Sequence, residues 1–142
     1  MLARTGFEPQ EALVCTMVLV AAAGGGGISD REIGVMSGLV QTLPVFRDFS
    51  AARLEVATEA AVDLLREEDG LQHAASMISR ALEPRLRETA YALACEVAAA
   101  DRPEEIEDLR ILGFVREALA LDPMVAAARE RGARARHQTA AA

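Results

Sequence analysis

The sequence predicts an all-α fold of about seven helices packed as one domain. Three observations point there. Alanine supplies 29 of 142 residues and aromatics only 4%, a composition that suits closely packed helices rather than sheets. Apolar residues recur at three- and four-residue spacing along most of the chain, and no stretch alternates apolar and polar residues as a strand does. Proline and glycine fall between those periodic stretches, where helices begin and end.

Each helix has its own punctuation. The first runs from Pro9, well placed as an opening helical residue, to Ala23, where the glycines of 24–27 stop it. Its residues Leu13, Val14, Met17, Val18, Leu19 and Val20 are apolar all round, which predicts a central position among neighbours. The second opens on Ser29-Asp30-Arg31-Glu32, a capping box in which each side chain satisfies a backbone amide of the other residue. It continues to Leu43 and stops before Pro44. Ser50 caps the third, about 51–68, with Leu54, Ala57, Ala61, Leu64 and Leu65 at helical spacing. Asp69-Gly70 breaks it. The fourth covers about 71–82 on a stripe of Leu71, Ala74, Ala75, Ile78 and Leu82. Pro84 opens the fifth, lined by Leu86, Ala90, Leu93, Val97 and Ala100. Pro103 opens the sixth, with Ile106, Leu109, Leu112, Val115 and Leu119 facing inward. Asp122-Pro123 starts the seventh. After Gly132 no apolar stripe continues, so the domain is read as residues 8–128, followed by a basic tail, 129–142, expected to be disordered.

A pattern occurs twice in this order. Shifting the chain by 76 residues puts Met17 on Leu93, Glu32 on Asp108, Ile33 on Leu109, Met36 on Leu112, Leu39 on Val115 and Leu43 on Leu119. Apolar falls on apolar and acid on acid. This predicts one helical hairpin used twice within a single domain, with Met17, Val20, Leu93, Val97, Leu109 and Leu112 in a shared core.

Charge narrows the function classes. There is no lysine, and all 15 basic residues are arginine. Residues 1–128 hold 11 Arg against 21 Asp and Glu, a net of −10. An acidic body excludes the basic footprint that nucleic acid requires and suits cations or basic protein surfaces. Cys15 and Cys95 are isolated within apolar runs, as buried, reduced thiols of a cytoplasmic protein are. Residues 12–27 superficially resemble a signal peptide, but Glu8 and Glu11 occupy the leader that should be positive, and the stretch recurs in the second copy. No transmembrane segment is predicted.

Two long strings look like the halves of a TerB-like tellurite-resistance domain. Ala12-Leu13-Val14 through Ala23, Ile28-Ser29-Asp30-Arg31-Glu32 and Leu43-Pro44-Val45-Phe46 resemble its first half. Glu88 through Asp101, with Leu121-Asp122-Pro123 further on, resembles its second, so the similarity spans roughly 8–128. The resemblance implies an all-helical cytoplasmic domain with internal pseudo-symmetry, associated with resistance to tellurite and other chemical stress and with no settled catalytic activity. It also implies an Asp-Gly corner in each half, with an acid seven residues later, for which metal binding has been proposed. The first half departs: Gly24 or Gly25 replaces the corner Asp and only Glu32 remains. The second keeps Asp101 and Asp108 but has Arg102-Pro103 between them.

The candidate site residues follow. The stretch 101–108 carries five carboxylates, and Asp101, Glu105 and Asp108, with Glu32 from the first half, are the candidate ligands for a hard cation such as Ca²⁺ or Mg²⁺. The competing structural reading is that Asp101 caps the sixth helix while Glu104 and Glu105 favour its dipole. Glu96, at the edge of the core, pairs with an arginine or acts with Asp101 as an acid pair in a cryptic enzyme. The glycine run lacks the Gly-Lys-Ser/Thr ending and the preceding strand of a phosphate loop. His73 and His137 are too few and too far apart for a zinc or general-base site. The expected function is therefore a non-catalytic binding or scaffold module whose partners are other proteins, including peripheral association with a membrane complex, with no catalytic or cofactor-binding residues assigned.

Overall fold

The computed structural model describes residues 6–23 and 27–141, leaving aside the side chains of Glu107 and Asp108. Among these, seven α-helices and no strand are present: α1 (Pro9–Ala22), α2 (Asp30–Thr42), α3 (Ala51–Leu65), α4 (Gly70–Ala81), α5 (Pro84–Asp101), α6 (Arg110–Leu119) and α7 (Pro123–Arg136). Two 3₁₀ turns, Pro44–Phe46 and Pro103–Asp108, join α2 to α3 and α5 to α6. The all-α reading holds. Gly24–Gly26, expected to form a flexible corner, lie outside the described residues.

The caps expected from sequence are in place. Ser29 Oγ accepts the Glu32 amide at 3.1 Å while Glu32 Oε1 accepts the Ser29 amide at 2.9 Å. Ser50 Oγ accepts the Arg53 amide at 3.1 Å, and Asp122 Oδ1 that of Met124 at 2.8 Å. Each satisfies an amide that the helix itself leaves unpaired. A further box, between Glu8 and Glu11, starts α1. At the α3–α4 turn, Asp69 takes a left-handed φ of 56°. A Cβ on the next residue, Gly70, would stand 2.3 Å from the Leu64 carbonyl oxygen, so only glycine lets α4 start this close to the end of α3.

The core is built around α1. Every residue from Ala12 to Ala21 is buried, and the helix packs against α3, α4, α5 and α6, which is why its sequence has no polar face. Its one buried hydroxyl, on Thr16, donates back to the Ala12 carbonyl at 2.8 Å, so no polar atom is stranded there. The second central helix is α5, whose Ala90, Tyr91, Leu93, Ala94, Cys95 and Val97 are all buried. Of the six residues assigned to a common core, Met17, Val20, Leu93, Val97 and Leu112 are buried, and Leu109 is partly buried against them.

Two elements differ from expectation. The sixth helix is divided: Pro103 has no amide to donate and displaces Arg102 to φ −141°, ψ 63°, so the chain restarts as a 3₁₀ turn and becomes α-helical only from Arg110. The two hairpins share buried positions, Met36 with Leu112 and Leu39 with Val115, yet Ile33 is 51% exposed while its counterpart Leu109 packs on the core. The larger correction concerns the tail. Residues 129–136 belong to α7, a helix that passes through Gly132 and packs along α5. Its order rests on polar partners rather than on an apolar stripe. Arg129 pairs with Glu88 at 3.6 Å and Arg136 with Glu96 at 2.8 Å, and Glu130 is buried against α5 and α6. The domain reaches at least Arg136, beyond residue 128.

Candidate functional site

The corner residues meet across the two halves. Asp101 is the last residue of α5, and its Oδ2 accepts a hydrogen bond from Ser29 Oγ at 3.1 Å, 72 positions earlier in the chain. Ser29 thereby uses all three of its near groups: its amide goes to Glu32, its hydroxyl oxygen caps Glu32 and its hydroxyl proton goes to Asp101. Two of the candidate ligands, Glu32 and Asp101, converge on one serine. Glu105 is exposed on the 3₁₀ turn, and the Asp108 side chain lies outside the described residues. Asp101 does not cap the following helix; Arg102 stands at that position, without a side-chain cap.

Among the described residues, no three His, Cys, Asp or Glu side chains come together as a metal site would require. Ca²⁺ needs six to eight oxygen ligands and Mg²⁺ an octahedral set. Glu32 and Asp101, each already accepting from Ser29, fall short of either. Of the four candidate ligands, the described residues bring only Glu32 and Asp101 to one place.

Glu96 has the arginine partner expected of it, and a histidine besides. Arg136 Nε donates to Glu96 Oε2 at 2.8 Å, and His137 Nε2 lies 3.0 Å from Oε1. Five residues of α-helix separate Glu96 from Asp101, which sets them about 140° apart around the axis. The two carboxylates thus face different partners, α7 for one and Ser29 for the other.

Sequence reasoning missed a buried polar cluster. The Tyr91 hydroxyl donates to Glu130 Oε2 at 2.5 Å and accepts from Arg116 Nη1 at 3.0 Å, while the same Arg116 nitrogen reaches Glu130 at 2.7 Å. Tyr91 is fully buried. Burial, then its bond to Glu130, pushes its phenol above the ordinary range, and Arg116 is shifted further upward, chiefly by its bond to Tyr91. Its members come from α5, α6 and α7, 25 and 14 residues apart in sequence, so no local spacing announces them. The one signal was a lone tyrosine in an alanine-rich helix, since a buried phenol needs a partner.

The thiols are inert. Cys15 and Cys95 are free and buried, and burial pushes both from the ordinary value of 9.0 up to about 12, with the Glu130 charge adding to the effect on Cys95. Because the folded pKa is raised, the associated stability is full below pH 9.0 and is lost as the pH climbs toward 12, at about 1.4 kcal/mol per pH unit for each thiol. Denaturant unfolding between pH 7 and pH 10.5 is expected to show this fall, flattened in Cys15→Ala/Cys95→Ala. An equally steep decline in the double variant would assign the loss to other groups.

Among the described residues, an apolar groove of about 430 Å³ lies between α2 and α3. Ile28, Ile33, Met36 and Leu54 line it, and Glu55 and Glu59, one turn apart on α3, stand at its edge. Ile33, the counterpart of the partly buried Leu109 in the 76-residue repeat, faces this groove instead of the core. No protein-family model matches the chain, and neither a curated protein nor a solved structure matches it.

Proposed function

We propose that the chain is a non-catalytic binding module, TerB-like as its sequence resemblance implies, that serves protein assemblies in the response to tellurite or other chemical stress. It works in the cytoplasm, docking to other proteins and, through them, to a membrane complex at its periphery. No described helix is long and apolar enough to cross a membrane. The α2–α3 groove carries this reading: an exposed Ile33 stands beside the partly buried Ile28 and Leu54 over a buried Met36, and apolar side chains grouped in one open trough mark interaction surfaces where scattered ones do not. The chemistry of the remaining groups agrees with it. The thiols are buried and protonated, Glu96 is paired with Arg136 and His137, and the Tyr91–Arg116–Glu130 cluster is closed on itself.

A photocrosslinking residue at position 33, compared with one at position 124, tests the proposal in cells challenged with tellurite. Met124 is 81% exposed but lies outside the groove, so it reports chance encounters. A discrete crosslinked protein from position 33 alone is the expected result. Matching products from both positions, or none from either, would overturn it.

A further inference from the structure

We propose that the α2–α3 groove receives a basic amphipathic helix from a partner protein, its aliphatic stripe on Ile33, Met36 and Leu54 and its Lys or Arg residues on Glu55 and Glu59. The inference rests on the binding reading above and names the occupant. Two helices with apolar side chains between them form a groove into which the apolar face of a third helix packs. Ile33, 51% exposed, stands where a partner's aliphatic side chain removes it from water.

Charge selects the occupant. Among the described residues, the two charged side chains that line the groove, Glu55 and Glu59, are acidic and no arginine lines it. Glu55 and Glu59 are four residues apart, so they rise about 6 Å along α3 and match basic residues at i and i+4 of a docked helix. The whole chain carries a net charge of −7, which adds a long-range attraction for cationic segments and repels an acidic one. An anionic lipid surface is disfavoured by the same rim. A second copy of the chain is a poor occupant too. Its basic stretch is α7, where Arg129 and Arg136 already pair with Glu88 and Glu96.

Fluorescence anisotropy with three labelled helical peptides decides the matter. All three carry one Leu/Ile stripe, flanked by lysine, glutamine or glutamate. The lysine peptide is expected to bind about tenfold more tightly than the glutamate peptide, the preference shrinking with added salt. Ile33→Asp should abolish its binding, and Glu55→Lys/Glu59→Lys should reverse the preference; both changes lie at exposed positions, and circular dichroism verifies that the variants fold. Equal binding of lysine and glutamate peptides would overturn the charge assignment. Lysine-peptide binding that survives Ile33→Asp would show a diffuse attraction to acidic surface and overturn the groove assignment. A dimer in sedimentation that Ile33→Asp dissociates would give the groove to a second copy. Failure of every peptide, with the position-33 crosslink still formed, would overturn the basic helix while leaving the binding module standing; loss of the crosslink as well would remove both.

Discussion

Leu93→Ala is expected to lower the unfolding free energy by about 2–5 kcal/mol, the cost of a large-to-small change in a packed core. Leu93 is 2% exposed on α5, the helix that α1, α2, α6 and α7 all pack against. The loss has two parts: apolar area no longer withdrawn from water, and a cavity its neighbours fill only in part. Val97 and Ala94 next to it on α5, and the wholly buried α1, are held from several sides at once, so collapse into the cavity is limited and the cost belongs in the upper part of the range. For a chain of this length the melting temperature should fall by roughly 6–15 °C. Denaturant unfolding of the two proteins measures it. A loss under about 1 kcal/mol would mean that the faces of α5 are wrongly assigned.

Glu130→Ala should cost about 3 kcal/mol and release α7. The substitution removes at once the acceptor of a buried tyrosine hydroxyl proton and the carboxylate partner of a guanidinium, leaving the two only each other. Tyr91 has no route to water, so its lost acceptor carries its full desolvation penalty. Arg116 is 34% exposed at its side chain and recovers some hydration, which holds the total toward the lower end of what breaking a buried pair costs. Trypsin supplies a second readout. Arg129, Arg131, Arg134 and Arg136 lie on α7 and should resist cleavage in the native protein, then become labile in Glu130→Ala before the rest of the domain unfolds. Rapid cutting at these arginines in the unaltered protein would instead restore the disordered tail that the local sequence suggests. Adding Arg116→Ala to Glu130→Ala should cost little more, because both changes remove one shared interaction.

The α7 contacts also explain why a helix with little apolar character holds its place. Arg129 with Glu88, Glu130 with Tyr91, and Arg136 and His137 with Glu96 occur in the same order along α7 and α5. The Arg129–Glu88 pair is exposed and individually weak, whereas Glu96 is largely covered beneath Arg136 and His137; the buried Glu130 between them is the anchor.

What the sequence by itself determined is local. Helix class, the ends of α1, α2, α4 and α5 to within a residue or two, the caps at Ser29, Ser50 and Asp122, and a core on Met17, Leu93 and Val97 all follow from periodicity and from which backbone amides a nearby side chain can reach. The central place of α1 was legible too, since a helix without a polar face has to be enclosed. Pairings between distant segments were not legible. Asp101 reads locally as an N-cap, yet folding delivers Ser29 to it from the other half, and Glu32 with it. The run Arg129–Arg136 reads as a solvated tail because its partners, Glu88, Tyr91 and Glu96, sit about 40 residues away on α5. Ile33 repeats in register with Leu109, but burial depends on what lies opposite, and only the placement of α3 leaves one in an open groove while the other is covered. Periodicity names the face of a helix; the packing of neighbours decides whether that face becomes core or binding surface.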